Sequence, residues 1–287
     1  MTPNLNTASS ARPPAYQVDP TLSGVSFLGT FRSEFAKLKA LRTSWWLSIV
    51  TIGLGAFIAG AVAFAYQQFA GDFSTNALDM AVQGQTGSFF AMILLGSLGV
   101  IAITTEFTTG AIRSSLTAVP RRTTLLSAKA LALVVWTGLT TVIMVLIAHV
   151  LTALIADPLG LGDIVTDGEI ALMYAKTWLV VVLTVLLGFG LGTLLRSSAG
   201  GIVVLASIMF VVQIVLSILM GVTDGAAWVE ALIQVEYMNL VEGFINPTAG
   251  EYAFFPVLDP GPAAVGLLVW TAVPLVLGWL SFTRRDS

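Results

Sequence analysis

The stretch from Lys129 to Ile155 reads KALALVVWTGLTTVIMVLIAHVLTALI. Apart from Lys129 at its edge and His149 toward its far end, it contains no ionisable side chain. At 1.5 Å rise per residue, a helix of this length outspans the roughly 30 Å of hydrocarbon that about 20 apolar residues cover. It reads as a membrane-spanning helix. Five further stretches meet the same standard, at about 45–66, 88–105, 174–195, 200–222 and 263–282. The expected fold class is therefore an all-α polytopic membrane protein with six transmembrane helices.

Composition agrees. The 287 residues are 56% hydrophobic and 10% charged, with a mean hydropathy of +0.90, whereas soluble domains carry roughly 25% charged residues. An ordinary water-soluble enzyme is excluded. Thirteen basic against sixteen acidic residues give a formal net charge of −3, so no basic surface is available for nucleic acid. The absence of cysteine and the single histidine, His149, exclude a disulfide framework and the usual zinc, haem and iron–sulfur sites.

Orientation follows from the basic residues, which favour the cytoplasmic side. With the N-terminus inside, twelve of the thirteen fall on inner segments, in clusters at 12–42, 113–129, 196 and 284–285, and only Lys176 lies outside. Removing or adding one span would put later clusters on the wrong side. Both termini are therefore expected inside. Trp45, Trp46 and Trp279 then sit at the inner interface, with Tyr66, Tyr174 and Trp178 at the outer one. Trp136, deeper in its span, reads as a packing residue.

Residues 1–26 hold four prolines and little apolar clustering. They read as a disordered cytoplasmic tail without the apolar core of a signal peptide, leaving 27–287 as the membrane domain. Within it, residues 27–42 place Phe27, Phe31, Phe35 and Leu38 along one helical stripe that continues to Trp45. Arg32, Lys37 and Lys39 point elsewhere, toward lipid phosphates, and Arg42 must snorkel. This segment is expected to lie along the inner membrane surface.

The link between the second and third spans runs Glu106-Phe-Thr-Thr-Gly110-Ala-Ile112-Arg113-Ser-Ser-Leu116-Thr-Ala-Val119-Pro120-Arg121-Arg122. A simple helix–helix link needs about 2–8 residues. This one is longer, basic and helical in its middle: Ile112, Leu116 and Val119 share a face, Arg113 projects about 100° away, and Pro120 ends the turn. With nothing of this chain below it, the apolar face is expected to need either lipid headgroups or a soluble protein as partner.

These residues carry a resemblance. A glutamate ending the second span, an aromatic, two residues, Gly, a small residue, Ile and Arg, then Leu, Pro and an Arg pair, is similar to the permease subunits of type 2 ATP-binding-cassette (ABC) exporters. The interfacial helix and six-span layout match that family as well, so the resemblance covers the chain from Phe27 onward. It implies that the link is the coupling helix, seated in a groove of a nucleotide-binding ATPase subunit through Glu106, Gly110, Ile112, Arg113, Leu116, Pro120 and Arg121. It also implies a second permease subunit, identical or similar, surrounding membrane lipids, and a place in the bacterial cytoplasmic membrane. ATP and Mg would be held by the partner subunit, with no cofactor in this chain, and the cargo would be a hydrophobic or amphiphilic substrate such as a drug, antibiotic, lipid or peptide moved outward.

The long segment 223–262 fits the same frame. Its apolar part, Ala226–Ile245, is interrupted by Glu230, Glu236 and Glu242, whose six-residue spacing scatters them around a helix, so it is not read as a seventh span. In the family this outer loop folds into short helices; a gating cap and a surface-lying helix pair remain equal readings of it here.

No lysine is preceded by the glycine of a G-x-x-x-x-G-K-[ST] phosphate loop, so ATP chemistry would have to come from another chain. No carboxylate or ammonium lies near the middle of a span, which counts against a secondary carrier. A non-transporting membrane anchor or sensor that recruits a partner through residues 106–122 is the other alternative. His149 reads as a hydrogen-bonded interfacial histidine in preference to a pH-sensitive gate. Gln213, mid-span, reads equally as a pathway residue or as an interhelical hydrogen-bond donor. Gly55-x-x-x-Ala59, Ala56-x-x-x-Gly60 and Gly188-x-x-x-Gly192 mark close helix contacts, expected within the subunit.

Overall fold

The computed structural model describes residues 26–69, 76–119, 121–247, 249 and 255–284. The expected tail lies outside these residues except for Ser26, and so does Pro120. Among the described residues the chain is all helical, and six helical segments are long and apolar enough to cross a membrane. The architecture is that of a multi-pass membrane protein.

The chain enters through α1 (Phe27–Ala40), opened by Ser26, whose hydroxyl accepts the Gly29 amide. After a break at Leu41 comes the first span, α2 (Arg42–Phe69). The second span begins much earlier than expected. α3 (Ala77–Gly84) runs through one 3-10 turn (Gln85–Gly87) into α4 (Ser88–Thr108), and Asn76 caps α3 by accepting the Asp79 amide. A short helix, α5 (Ala111–Ala118), leads to the third span, α6 (Arg122–Ile155), whose 34 residues extend about 51 Å at standard rise. A single turn, α7 (Asp163–Thr166), precedes the fourth span, α8 (Gly168–Leu195), which starts six residues before Tyr174 because Asp167 caps the amides of Glu169 and Ile170.

The fifth span is α9 (Ser198–Ala206) and α10 (Val212–Val222), joined by a π turn at Ser207–Val211. The apolar segment that follows is not a span. It forms α11 (Ala227–Gln234) and α12 (Tyr237–Ile245), separated at Glu236, whose carboxylate turns back to accept the Met238 and Asn239 amides. The last span is α13 (Pro260–Arg284), with prolines at the first turn, where their missing amides cost nothing.

α8 is the axis of the bundle. In its most apolar stretch 72% is buried, against 28% of α2, 17% of the fifth span and 28% of α13. It packs against α4, α13 and α6. Apolar side chains such as Phe57, Val211, Ile218 and Val265 on the peripheral spans face outward, as lipid-facing surfaces do. Buried hydroxyls of Thr137, Thr141, Thr177, Thr184 and Thr193 are satisfied locally, each donating to the carbonyl four residues back.

The close contacts are made by glycine. A β-carbon on Gly188 would stand 2.2 Å from the Gly96 carbonyl oxygen, and one on Gly99 2.3 Å from that of Val185, so α4 and α8 touch backbone to backbone. Gly190, on another face of α8, receives the Pro274–Leu275 backbone of α13, with 2.6 Å available. The Gly188/Gly192 pair thus packs within the subunit, as do Gly55 and Ala59, which meet Met144 and the core. Two expected interface aromatics also prove to be packing residues. Tyr174 is buried and hydrogen-bonded to His149 Nδ1 (2.8 Å), and Trp178 donates to the Gly138 carbonyl (3.1 Å). His149 completes its pairing at the Leu161 carbonyl, a hydrogen-bonded role as expected.

Gly188→Ala is expected to lower stability by about 1–3 kcal/mol, because the α4–α8 seam cannot open for one methyl group without shifting the core. Gly53→Ala, where a β-carbon meets nothing within 4 Å, is the control. Thermal unfolding of the two purified variants should separate them clearly, with only Gly188→Ala melting earlier than the wild type.

Candidate functional site

Loops that join spans at one end of the bundle carry the clustered basic residues, and α1 lies there. At this basic end four charged side chains from three elements converge. Glu34 and Lys37 project from α1, Glu106 from the last turns of α4, and Lys129 from the third turn of α6. Lys129 is hydrogen-bonded to Glu34 and, at 2.8 Å, to Glu106; Lys37 reaches Glu34 at 2.7 Å and Glu106 at 3.0 Å. Glu34 is 3% exposed, Lys129 5% and Glu106 8%.

Two carboxylates and two ammonium groups cancel in charge, which is what permits their burial. Burial opposes the charge on Lys37, but hydrogen bonds and Coulomb attraction from Glu34 and Glu106 outweigh it and raise its pKa. A raised lysine pKa contributes stability at all lower pH, lost only as pH climbs through that value, so Lys37 stays charged at neutrality. Among the described residues Glu106 Oε2 is buried without a hydrogen-bond partner, and Glu106 borders a cavity of about 360 Å³ walled also by Leu38, Leu41, Ala102 and Thr105. Lys37 was expected at lipid phosphates; it turns inward instead, because Glu34 and Glu106 offer it two carboxylates.

α5 lies just beyond this cluster. Gly110 enters it with φ 71°, a left-handed conformation that glycine adopts freely. The expected helix is present, but its apolar side is not unpartnered. Ile112 is 5% exposed, Val119 is buried and Leu116 is half-buried, all in the core of this same chain. The reason is that the ends of α4 and α6 extend far enough to give α5 a floor. Toward α1 a cleft of about 220 Å³ remains, bridged by Lys37 donating to the Ser115 hydroxyl at 3.1 Å.

The sequence-derived residues are therefore divided by the fold. Arg113 and Arg121 are exposed, together with Ser114, Thr117 and Ala118. Gly110 is exposed at the hinge, Ile112 and Leu116 hold the helix down, and Glu106 lies behind it in the charge cluster. Pro120 lies outside the described residues. Gln213 is remote from all of these: it sits in the first turn of α10, directly after the π turn, exposed at the outside of the bundle beside Ser217, Glu236 and Asn239. Its side chain makes no interhelical hydrogen bond among the described residues.

Sequence reasoning missed Glu34 and Lys129. Their signal was the charge complementarity of four residues at neighbouring helix ends, visible only once those ends are placed together. Other basic residues at this end are structural ties as well. Arg122 donates to the Phe282 carbonyl at 3.1 Å, bracing α6 against the negative end of α13, and Arg196 lies 5.0 Å above the Phe107 ring.

Lys129→Met strips both carboxylates of their buried cation and is expected to destabilise the protein by about 3–5 kcal/mol. Adding Glu34→Gln, which removes one of the two stranded charges, should recover part of that loss. Unfolding measured on the single and double variants distinguishes this coupling from simple loss of packing, for which the two effects would add.

No curated protein matches the chain. A family model described as a protein of unknown function (DUF2705) matches residues 47–287, which include Glu106, Lys129 and α5 but not Glu34 and Lys37 on α1. With well over half of the sequence matched, the chain belongs to that family.

Proposed function

We propose that this chain is the permease subunit of an ATP-driven ABC exporter, with both termini in the cytoplasm, moving a hydrophobic or amphiphilic substrate outward. It would act as a pair of permease subunits over two separate ATP-hydrolysing subunits, which hold ATP and Mg. The observation that carries this reading is the placement of α5. A helix of eight residues stands beyond the ends of the spans, its apolar side anchored on its own chain and its outer side presenting Arg113, Ser114 and Thr117, with Arg121 beside it. That is a surface built to be pushed by a partner and to pass the push inward. Ile112, Val119 and the Lys37–Ser115 hydrogen bond couple it to α1, α4 and α6.

In this reading α5 is the coupling helix, and its contact residues are the exposed ones. Glu106 transmits from behind the contact through its ion pairs with Lys37 and Lys129. The exposed apolar faces of the first, fifth and sixth spans suit lipid and a second permease subunit, and Gln213 on the fifth span would face that subunit or the pathway between the two. Two discrete arrangements of the basic end, open and closed to the cytoplasm, would then follow the ATP cycle.

Arg113→Glu with Arg121→Glu reverses the exposed charge without touching the buried face. From native membranes, the wild-type chain is expected to co-purify with a stoichiometric nucleotide-binding subunit and vanadate-sensitive ATPase activity. The double variant should lose at least about 90% of both while inserting normally, since a change of about tenfold corresponds to 1.4 kcal/mol, a modest toll for two reversed contact charges. A wild-type chain that purifies without any ATPase overturns the proposal.

A further inference from the structure

At the end of the bundle opposite the charge cluster, α3, α4, α8 and α12 enclose a cavity of about 390 Å³. Its floor combines Met92, Met173 and Val241, all buried, with Gln85, which is 5% exposed. Gln85 lies against the Tyr174 hydroxyl, and beyond that contact its amide finds no hydrogen-bond partner among the described residues. A buried primary amide with an unmet group forgoes about 1–3 kcal/mol, so it calls for a partner inside the cavity. The rim carries Glu242, whose carboxylate is exposed and held by the Asn246 side-chain amide at 2.7 Å.

We propose that this cavity is a binding site for an amphiphilic organic amine. The thioethers of Met92, Met173 and Met238 provide a soft, adaptable wall for an apolar body. Gln85 both donates and accepts, which fits a hydroxyl or amide on the ligand. Glu242 at the mouth meets its ammonium group. A cation is preferred over an anion because the surroundings are acidic: at this end of the bundle the described residues include ten carboxylates against one ammonium, Lys176. Such a one-signed field concentrates cations at the opening. Lys176 itself is drawn over the Phe244 ring, 5.4 Å from its centre, and does not line the cavity. A volume of this size lies within the range of small-molecule pockets, roughly 300–1,000 Å³. The site is complete within one chain and requires neither an ATPase nor a second subunit, so it stands or falls separately from the exporter reading.

Propranolol joins a naphthyl body, a hydroxyl and a secondary ammonium, and is a suitable probe. Equilibrium dialysis of radiolabelled propranolol against the full chain in lipid nanodiscs should show one saturable site per chain above the partitioning into empty nanodiscs. Glu242→Gln, a change at the exposed rim, is expected to weaken it about tenfold, and Gln85→Leu to weaken it several-fold, as loss of one charge-assisted and one neutral hydrogen bond would. Met92→Trp, which fills the floor, should abolish it. Glu230→Gln, on the same end but away from the cavity, should leave it unchanged, and 1-naphthaleneacetate should not compete. If Met92→Trp fails to fold, Glu242→Gln decides alone. No saturable component in the wild type, or equal binding in wild type and Glu242→Gln, overturns the proposal.

Discussion

Burying two carboxylates costs far more than any packing contact returns unless cations are buried with them. That constraint organises the basic end of this protein. Glu34, Glu106 and Lys129 are each less than a tenth exposed, and each can be so only because the others are present. The cluster therefore dictates geometry: α1 must lie close enough to present Glu34, α4 must end at Glu106, and α6 must extend below the span so that Lys129 arrives at the same level. Such a cluster is a weak source of net stability, since an apolar replacement could be as stable. Its physical consequence is specificity, because sliding any of the three helices leaves a charge without its partner.

A second constraint works at the centre of the bundle. Lipid offers no hydrophobic drive between apolar helices, so contact must be gained by close approach. α8 achieves this on two faces at once. Gly188 and Gly192 admit the α4 backbone, and Gly190 admits α13. The seam between α4 and α8 is thus tight and the cluster at the end of α4 is charged. Under the exporter reading, a displacement reaching Glu106 would move α4 as a rod against α8, with little slack for the motion to dissipate locally.

The spans were legible because burial in lipid imposes a length and a composition that few other structures share. Their ends were less so. The second span gained α3 because Asn76 and Asp79 supply a cap that hydropathy does not register, and the fourth gained a turn and a half from Asp167 for the same reason. The break between α11 and α12 followed from the glutamates, one of which, Glu236, became the cap at the break. The π turn at Ser207–Val211 left no sequence signal. Aromatic residues were misread where amphipathic character alone was used: Tyr174 and Trp178 each have a buried hydrogen-bond partner on α6, and a ring with such a partner has no need of the interface. At the candidate site the sequence displayed α5 with its correct faces, but not its floor. Periodicity shows which side of a helix is apolar; it does not show which neighbour covers that side, and here the neighbour belongs to the same chain.

That last point changes what α5 can do. A helix whose apolar side were bare would be held by its partner, and would move with the partner or not at all. Because Ile112, Leu116 and Val119 are anchored, α5 is a fixed part of the membrane domain, joined to α4 through Gly110 and bridged to α1 by Lys37. Under the exporter reading, force applied at Arg113 and Arg121 would therefore not rotate α5 alone. It would load Lys37, which shares both carboxylates with Lys129, and through them α1, α4 and α6 together. The cleft between α1 and α5 would give that motion somewhere to go, and the neutrality of the cluster would set its limit: the four charges could travel as a group at small cost, but separating Glu34, Glu106 or Lys129 would leave a buried charge unpaired. Under that reading, a coupled shift of the three helices is the movement this end of the molecule would permit.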